Sequence, residues 1–366
     1  MGKFAGFSLV TFAILAGCSQ ASNGSLPATG SQPSSLSSSQ DVVPLKGADD
    51  KDHMMIADQF NNRVIEIDRQ HKIMWKFGDG SSKAGPHSIV APNDEERYGD
   101  MTLIAGTGAP AGTEPGCMKV ACQDNRVILV NKHGDIVWQY GKTGIPGSGH
   151  DELNTPVCDV ALPNGDVLIT DQANERVIEV TMDKRIVWQY GMTGVTGSGN
   201  NQLNNPNCAE LLANGRILIA DENNNRVIEV TRGHNIVWQY GSPNDTKTLN
   251  GAAFASRLDN GNTLITDSLN NRIVEVDHNK NVVWTYVTNT RPGSVANPNP
   301  TRAVRLRNGN TLISDQFNHQ VIEVNHAGNI VFSQGQVGVS GRGYNLLNAP
   351  YDAKIVGDFT GLTPPH

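Results

Sequence analysis

The sequence predicts an all-β fold: a single six-bladed β-propeller of four-stranded antiparallel blades, with the C-terminal strand completing the first blade. Three observations predict it. All five tryptophans, Trp75, Trp138, Trp188, Trp238 and Trp284, stand at one phase of a repeated phrase, with Phe332 in the sixth place. Their spacings of 63, 50, 50, 46 and 48 residues match a four-stranded blade. In four copies, short alternating runs rich in β-branched residues flank Asn-Gly turns, which is hairpin chemistry. Finally, the first copy lacks its opening strand, and the segment after Gly335, GVSGRGYNLLNAPYDAKIVGD, repeats that opening at the far end of the chain.

From the N-terminus, Lys3 precedes a mostly apolar stretch over Phe4 to Ala16, too short to span a bilayer as a permanent helix. It ends in Leu15-Ala16-Gly17-Cys18, which resembles the lipobox of bacterial lipoproteins. The resemblance implies a signal peptide over 1–17, acylation of Cys18 and attachment to a membrane through the lipid. With Ser19 next, it implies outer-membrane delivery facing the periplasm, within the bacterial cell envelope. Residues 18–45 are Ser-rich with almost no aromatics, so they read as a disordered tether. The propeller is expected over 46–358 and a tail over 359–366.

Each unit divides into four strands. In the unit LNTPVCDVALPNGDVLITDQANERVIEVTMDKRIVWQYG, Asp159–Leu162 is the inner strand, followed by Asp166–Thr170, Arg176–Thr181 and Ile186–Tyr190. The second unit is stretched by an insertion at about 106–123. The last unit is complete by Gly335, so Ala349–Val356 is expected to supply the missing inner strand of blade one. Such a blade buries little alone; radial stacking covers both faces and leaves only short edges.

Composition narrows the function. The 366 residues carry a net charge of −7, with no run of Lys and Arg interleaved with aromatics, so nucleic acid is excluded as a partner. The abundant Gly (38) and Pro (18) suit many tight turns rather than long helices. No P-loop, HExxH or Ser–His–Asp pattern occurs.

Repetition separates structural residues from candidate functional ones. Asp58, Asp171, Asp221, Asp267 and Asp315 recur, as do Arg63, Arg176, Arg226 and Arg272 five residues on from the first four. Recurrence in nearly every blade reads as an Asp–Arg pair holding a turn. The Trp series reads as packing between blades. Function is sought where the repeat breaks. Six residues before the turn residues Asn93, Asn164, Asn214, Asn260 and Asn308 stand His87, Cys158, Cys208, Phe254 and Arg302. Asp352 is the sixth member, aligned through Pro350. With Asp159, these residues are expected at the mouth of the central channel. His87 and Arg302 are the catalytic candidates. For Cys158 and Cys208 three readings stand: a disulfide between blades, a site with His87 for zinc or copper, or two buried thiols. Cys117 and Cys122 are expected to close a small loop. No cofactor is expected beyond that candidate metal ion.

The linkers GKTGIPGSGHDELNTP, GMTGVTGSGNNQLNNP and GQVGVSGRGYNLLNAP, each leading towards D–x–x–N–N–R–V–I–E–V or a close variant, resemble NHL repeats, whose propellers have six blades. NGNTLITD and IVWQYG also resemble the arylsulfotransferase-like and pyrroloquinoline-quinone-like propeller repeats. The arylsulfotransferase resemblance implies a channel histidine as sulfate carrier with Arg beside it, here His87 and Arg302. The ring departs from that family at Cys158, Cys208 and Phe254. NHL-type lyases use several channel histidines for zinc, and this ring offers one. The expectation is therefore a monomeric, non-enzymatic binding or scaffolding module for a protein, glycan or small ligand. The alternative is a propeller enzyme of arylsulfotransferase or metal-dependent lyase type.

Overall fold

The computed structural model describes residues 52–365, and within them the chain forms six four-stranded antiparallel sheets. The segments 1–17 and 18–45, with Cys18, lie outside the described residues. Five sheets take their strands in chain order. The remaining one adds Pro350–Ile355 to Met54–Asp58, Arg63–Ile67 and Ile73–Phe77. Blade one is thus assembled from both ends of the propeller, as the displaced repeat predicts.

The burial pattern explains why each blade needs its neighbours. Arg176–Val180 is buried at every position, because blades pack on both of its faces. The outer strand Ile186–Tyr190 is exposed at its start and buried only at its end. Four of the six blades join the next through the Trp series. Trp75, Trp138, Trp188 and Trp284 donate Nε1–H to carbonyls of Lys132, Met182, Arg232 and His326 on the following blade, at 2.9–3.1 Å. In these four the indole nitrogen is satisfied, whereas Trp238 Nε1 is buried with no hydrogen-bond partner among the described residues.

The second and third strands of five blades meet through one turn of 3-10 helix that ends in a left-handed residue: Asn62, Glu175, Asn225, Asn271 or His319. Asn tolerates that conformation best. The repeated Asp and Arg bracket the turn. Arg63–Asp58, Arg176–Asp171, Arg226–Asp221 and Arg272–Asp267 pair at 2.6–2.8 Å. The other carboxylate oxygen accepts a linker N–H, from Asn348, Asn154, Asn204 and Asn250 respectively. In blade six Gln320 stands in place of the Arg, and Arg291 pairs with Asp315 instead. The Gly at the end of the outer strand in five blades is equally constrained, Val287 taking its place in blade five. At Gly191 φ is +92°, and a Cβ would stand 2.2 Å from the Glu175 carbonyl oxygen.

Blade two departs from its neighbours. Its second and third strands lengthen to Met101–Ala109 and Cys122–Asn131, and the loop between them is closed by a Cys117–Cys122 disulfide. The C-terminal residues do not trail away as a tail. They cross the end of the channel opposite the linkers, where Thr363 is buried and both its N–H and Oγ1 donate to Glu210. A cleft of about 720 Å³ lies beside this strap, between Leu211, Leu258 and Leu362.

Candidate functional site: the channel axis and its mouth

Five inner strands begin with an irregularity after their first residues, where the register to the second strand slips. The sixth, Arg302–Arg305, starts directly at the equivalent position. This turns one side chain per blade towards the axis. Going round the ring, these are Asp352, Asp94, Cys158, Cys208, Phe254 and Arg302, all buried.

Arg302 organises the ring. Its Nε donates to Asp352 Oδ1 at 3.0 Å, and Nη2 lies 3.1 Å from Asp94 Oδ2. Nη1 lies 2.9 Å from Cys208 Sγ, and the guanidinium sits 4.4 Å from the centre of the Phe254 ring. Cys158 and Cys208 are joined in a disulfide between blades three and four, with Cα atoms 5.1 Å apart. One side chain therefore touches every other blade's contribution except Cys158, whose sulfur is 4.0 Å away. The planar, permanently charged fork of Arg suits this, since it bridges two carboxylates and stacks on an aromatic face at once.

One storey further along, two residues on in each inner strand, stand Lys354, Glu96 and Glu210. Lys354 Nζ donates to Asp94 Oδ1 at 2.5 Å, to the Glu95 carbonyl at 2.6 Å and to Asp352. Glu96 accepts the N–H of Ala161 at 2.9 Å, and Asp94 accepts that of Asp159 at 3.1 Å. The axis thus gathers six buried carboxyls, Asp94, Glu95, Glu96, Asp159, Glu210 and Asp352, around two cations. Burial drives most of these carboxyls up. Asp94 rises to about 7 and Glu96 to about 8, while Glu95, Asp159 and Glu210 also rise. Asp352 alone goes down: burial opposes its charge, but Arg302 and Lys354 outweigh it. Among the six, Asp352 is thus the carboxyl whose charged form the two cations favour most.

Five of the expected channel residues, Cys158, Cys208, Phe254, Arg302 and Asp352, meet at the axis. Asp159 is buried beside them, with no hydrogen bond to either carboxylate oxygen among the described residues. His87 does not join them. It is exposed in the linker before blade two, and Asp94 takes its place in the ring. The reason is local: Asn93 is the second residue of the inner strand Pro92–Tyr98, and the hairpin turn of this blade is Gly99-Asp100. The proposed His87, Cys158, Cys208 metal set is likewise not assembled. Asp94, Cys158 and Cys208 do bring ligand atoms within 4.8 Å of one another. Their sulfurs are bonded together, however, and offer no thiolate.

Towards the linker face, a neutral polar layer covers the ring. Asn207 of blade four donates to the Tyr351 hydroxyl of blade one at 2.8 Å, spanning the axis directly above Arg302. Gln316 donates to Gln59 at 2.8 Å, and Gln59 to Asn93 at 2.7 Å, across blades six, one and two. Asn207 and Gln172 donate to Glu222 at 3.0 and 3.3 Å, and burial raises that carboxyl. These mouth residues had no place among the sequence candidates. The available signal was the first position of the repeated turn, Gln59, Gln172, Glu222 and Gln316, which is polar in each of these blades.

No family profile and no curated protein sequence matches the chain. Solved structures share its fold. A protein of unknown function from Bacteroides caccae superposes with a TM-score of 0.55 at 14% identity, covering 77% of this chain and 92% of that one. Virginiamycin B lyase from Staphylococcus aureus gives 0.50 at 14%, covering 80% and 84%. A streptogramin B lyase gives 0.50 at 14%, covering 84% and 86%. At such identity the likeness concerns architecture alone, a β-propeller, and one architecture hosts many activities.

Proposed function

We propose that this protein is a non-enzymatic binding module of the bacterial cell envelope. Cys18 is lipidated, residues 19–45 tether the domain, and a monomeric propeller of NHL type presents its linker face to a ligand in the periplasm. One observation carries the reading. The side chains that break the repeat bind one another: Arg302 joins Asp352, Asp94, Phe254 and Cys208 in a closed axial ring. A channel used for turnover would need such groups accessible to a substrate. Towards the linker face the polar side chains also bond one another, Asn207 to Tyr351 and Gln316 to Gln59 to Asn93, rather than lining a reaction chamber.

The enzymatic alternative required His87 and Arg302 in one site, whereas His87 is exposed and Arg302 is sealed on the axis. The test uses full-length protein purified in detergent. Aryl-sulfate and streptogramin turnover are measured beside equilibrium binding of envelope fractions. Binding that Gln172→Ala weakens, without turnover of either substrate, supports the module. Turnover abolished by His87→Ala or by Arg302→Lys would replace it with an enzyme. For the anchor, intact mass should show acyl chains on Cys18 that Cys18→Ser removes.

A further inference from the structure

The mouth of the channel differs chemically from the layer beneath it. The axis beneath it holds two cations and six carboxyls. Above it, the network of Gln59, Asn93, Gln172, Asn207, Gln316 and Tyr351 contains no Lys or Arg, and its single acid, Glu222, is raised by burial. This is a floor of planar amides and one phenol.

Its hydrogen bonds are incomplete. Asn207 is 2% exposed, yet its Oδ1 has no hydrogen-bond partner among the described residues. Beside it, the Tyr351 hydroxyl accepts from Asn207 Nδ2 and keeps its own O–H to donate. A buried acceptor without a partner costs free energy unless something fills it. An acceptor next to a donor complements a group that both donates and accepts, which is what an alcohol does. The amide chain from Gln316 through Gln59 to Asn93 leaves Gln316 Oε1 and Asn93 Nδ2 as its ends, again one acceptor and one donor.

The rim supplies the apolar complement. Each 3-10 turn carries one residue beside the mouth residue, and in blades five and six these are Leu269 and Phe317, 52% and 37% exposed. Linker–turn hydrogen bonds, Leu269 to Asn250 and Phe317 to Pro298, hold both on the linker face. A sugar ring presents hydroxyls on its edge and C–H groups on its face, so paired amides with an adjacent aromatic or aliphatic platform match both. A sulfate, phosphate or carboxylate ligand would instead call for Arg or Lys in the network.

We propose that the linker-face mouth, floored by Asn207, Tyr351, Gln59, Gln172 and Gln316 and flanked by Phe317, binds a neutral oligosaccharide. The inference rests on the binding-module reading and names the ligand class for it. Isothermal titration of full-length protein in detergent tests it with three probes: chitotriose, maltotriose and trialanine. At least one saccharide should bind, and trialanine should not. Gln172→Ala and Phe317→Ala, both at the partly exposed edge of the site, should each weaken binding about fivefold or more, the scale of one lost hydrogen bond or platform. Their thermal midpoints should stay near the parent's. Val137→Ser, on an outer strand, should bind as the parent does. No binding of either saccharide, or binding unchanged in both mouth variants, overturns the proposal. Trialanine binding that the same variants abolish overturns the saccharide class and leaves the binding module standing. Cleavage of the bound saccharide overturns the non-enzymatic reading itself.

Discussion

The corners of the blades and the axis of the ring solve the same problem, buried charge, in opposite ways. At the corners each Asp meets one Arg and one linker N–H, and the arrangement recurs: Asp58 with Arg63, Asp171 with Arg176, Asp221 with Arg226 and Asp267 with Arg272. At the axis one Arg serves several blades, and its contacts occur once in the molecule. Repeated corners make each blade locally correct. The unrepeated axis makes the set of blades close with the right neighbours. A corner can therefore be lost from one blade at modest cost, whereas Arg302 has no substitute.

That contrast is open to direct challenge by substitution. The largest effect is expected at the axis. Arg302→Met leaves Asp94 and Asp352 buried with Lys354 as their one remaining shared cation, and urea unfolding should show a loss of about 3–5 kcal/mol. Next comes the disulfide. Replacing Cys158 and Cys208 together by Ala removes a crosslink spanning 50 residues, and about 2–4 kcal/mol should go with it. Arg176→Ala, at a corner, should cost only about 1–3 kcal/mol, because Asp171 keeps the Asn174 side chain and the Asn154 N–H as donors. An Arg176→Ala loss as large as that of Arg302→Met would erase the distinction.

The pH dependence is partly shared, since burial also lifts the corner residues Asp221 and Asp315 to about 6, but its upper part belongs to the axis. Burial lifts Asp94 from 3.8 to about 7 and Glu96 from 4.5 to about 8. Each holds its proton more tightly folded than unfolded. Its contribution is complete below the unfolded value and is lost as pH rises towards the folded one. Stability should thus fall between pH 4.5 and about 8, and Glu96→Gln should flatten the upper part of that decline in chemical unfolding across the range. The smallest effect is expected at His87. It is exposed, and His87→Ala should change stability by no more than about 0.5 kcal/mol.

The six blades and their closure were legible because most copies repeat the same turn chemistry: Asn-Gly hairpins in four, an Asp and an Arg around the tight turn in four, a Trp on the outer strand in five. The axis was legible in five of six blades for a simpler reason, since Cys158, Cys208, Phe254, Arg302 and Asp352 break a regular column. Blade two hid its member. Its hairpin turns through Gly99-Asp100 rather than Asn-Gly, so Asn93 stood in for a turn residue and pointed to His87. A better guide was present, because Pro92, Pro156, Pro206, Pro300 and Pro350 each stand two residues before the axial position, and Pro92 leads to Asp94. The amide floor could not be read in the same way. Gln59, Asn93, Asn207 and Tyr351 come from different strands and turns, and only the closed ring brings them together. Nor could the strap at Thr363, since nothing repeats there.

The central claim is that the axial residues hold one another rather than a substrate. A free-energy cycle on Arg302→Met and Asp352→Asn tests it most directly, by urea unfolding at pH 7. If Arg302 is there to satisfy that carboxylate, the double variant should be more stable than Arg302→Met alone, because Asp352 no longer adds an unpaired buried charge and Asp94 keeps Lys354. If the losses simply add, Arg302 and Asp352 do not depend on each other, and the axis is not a lock.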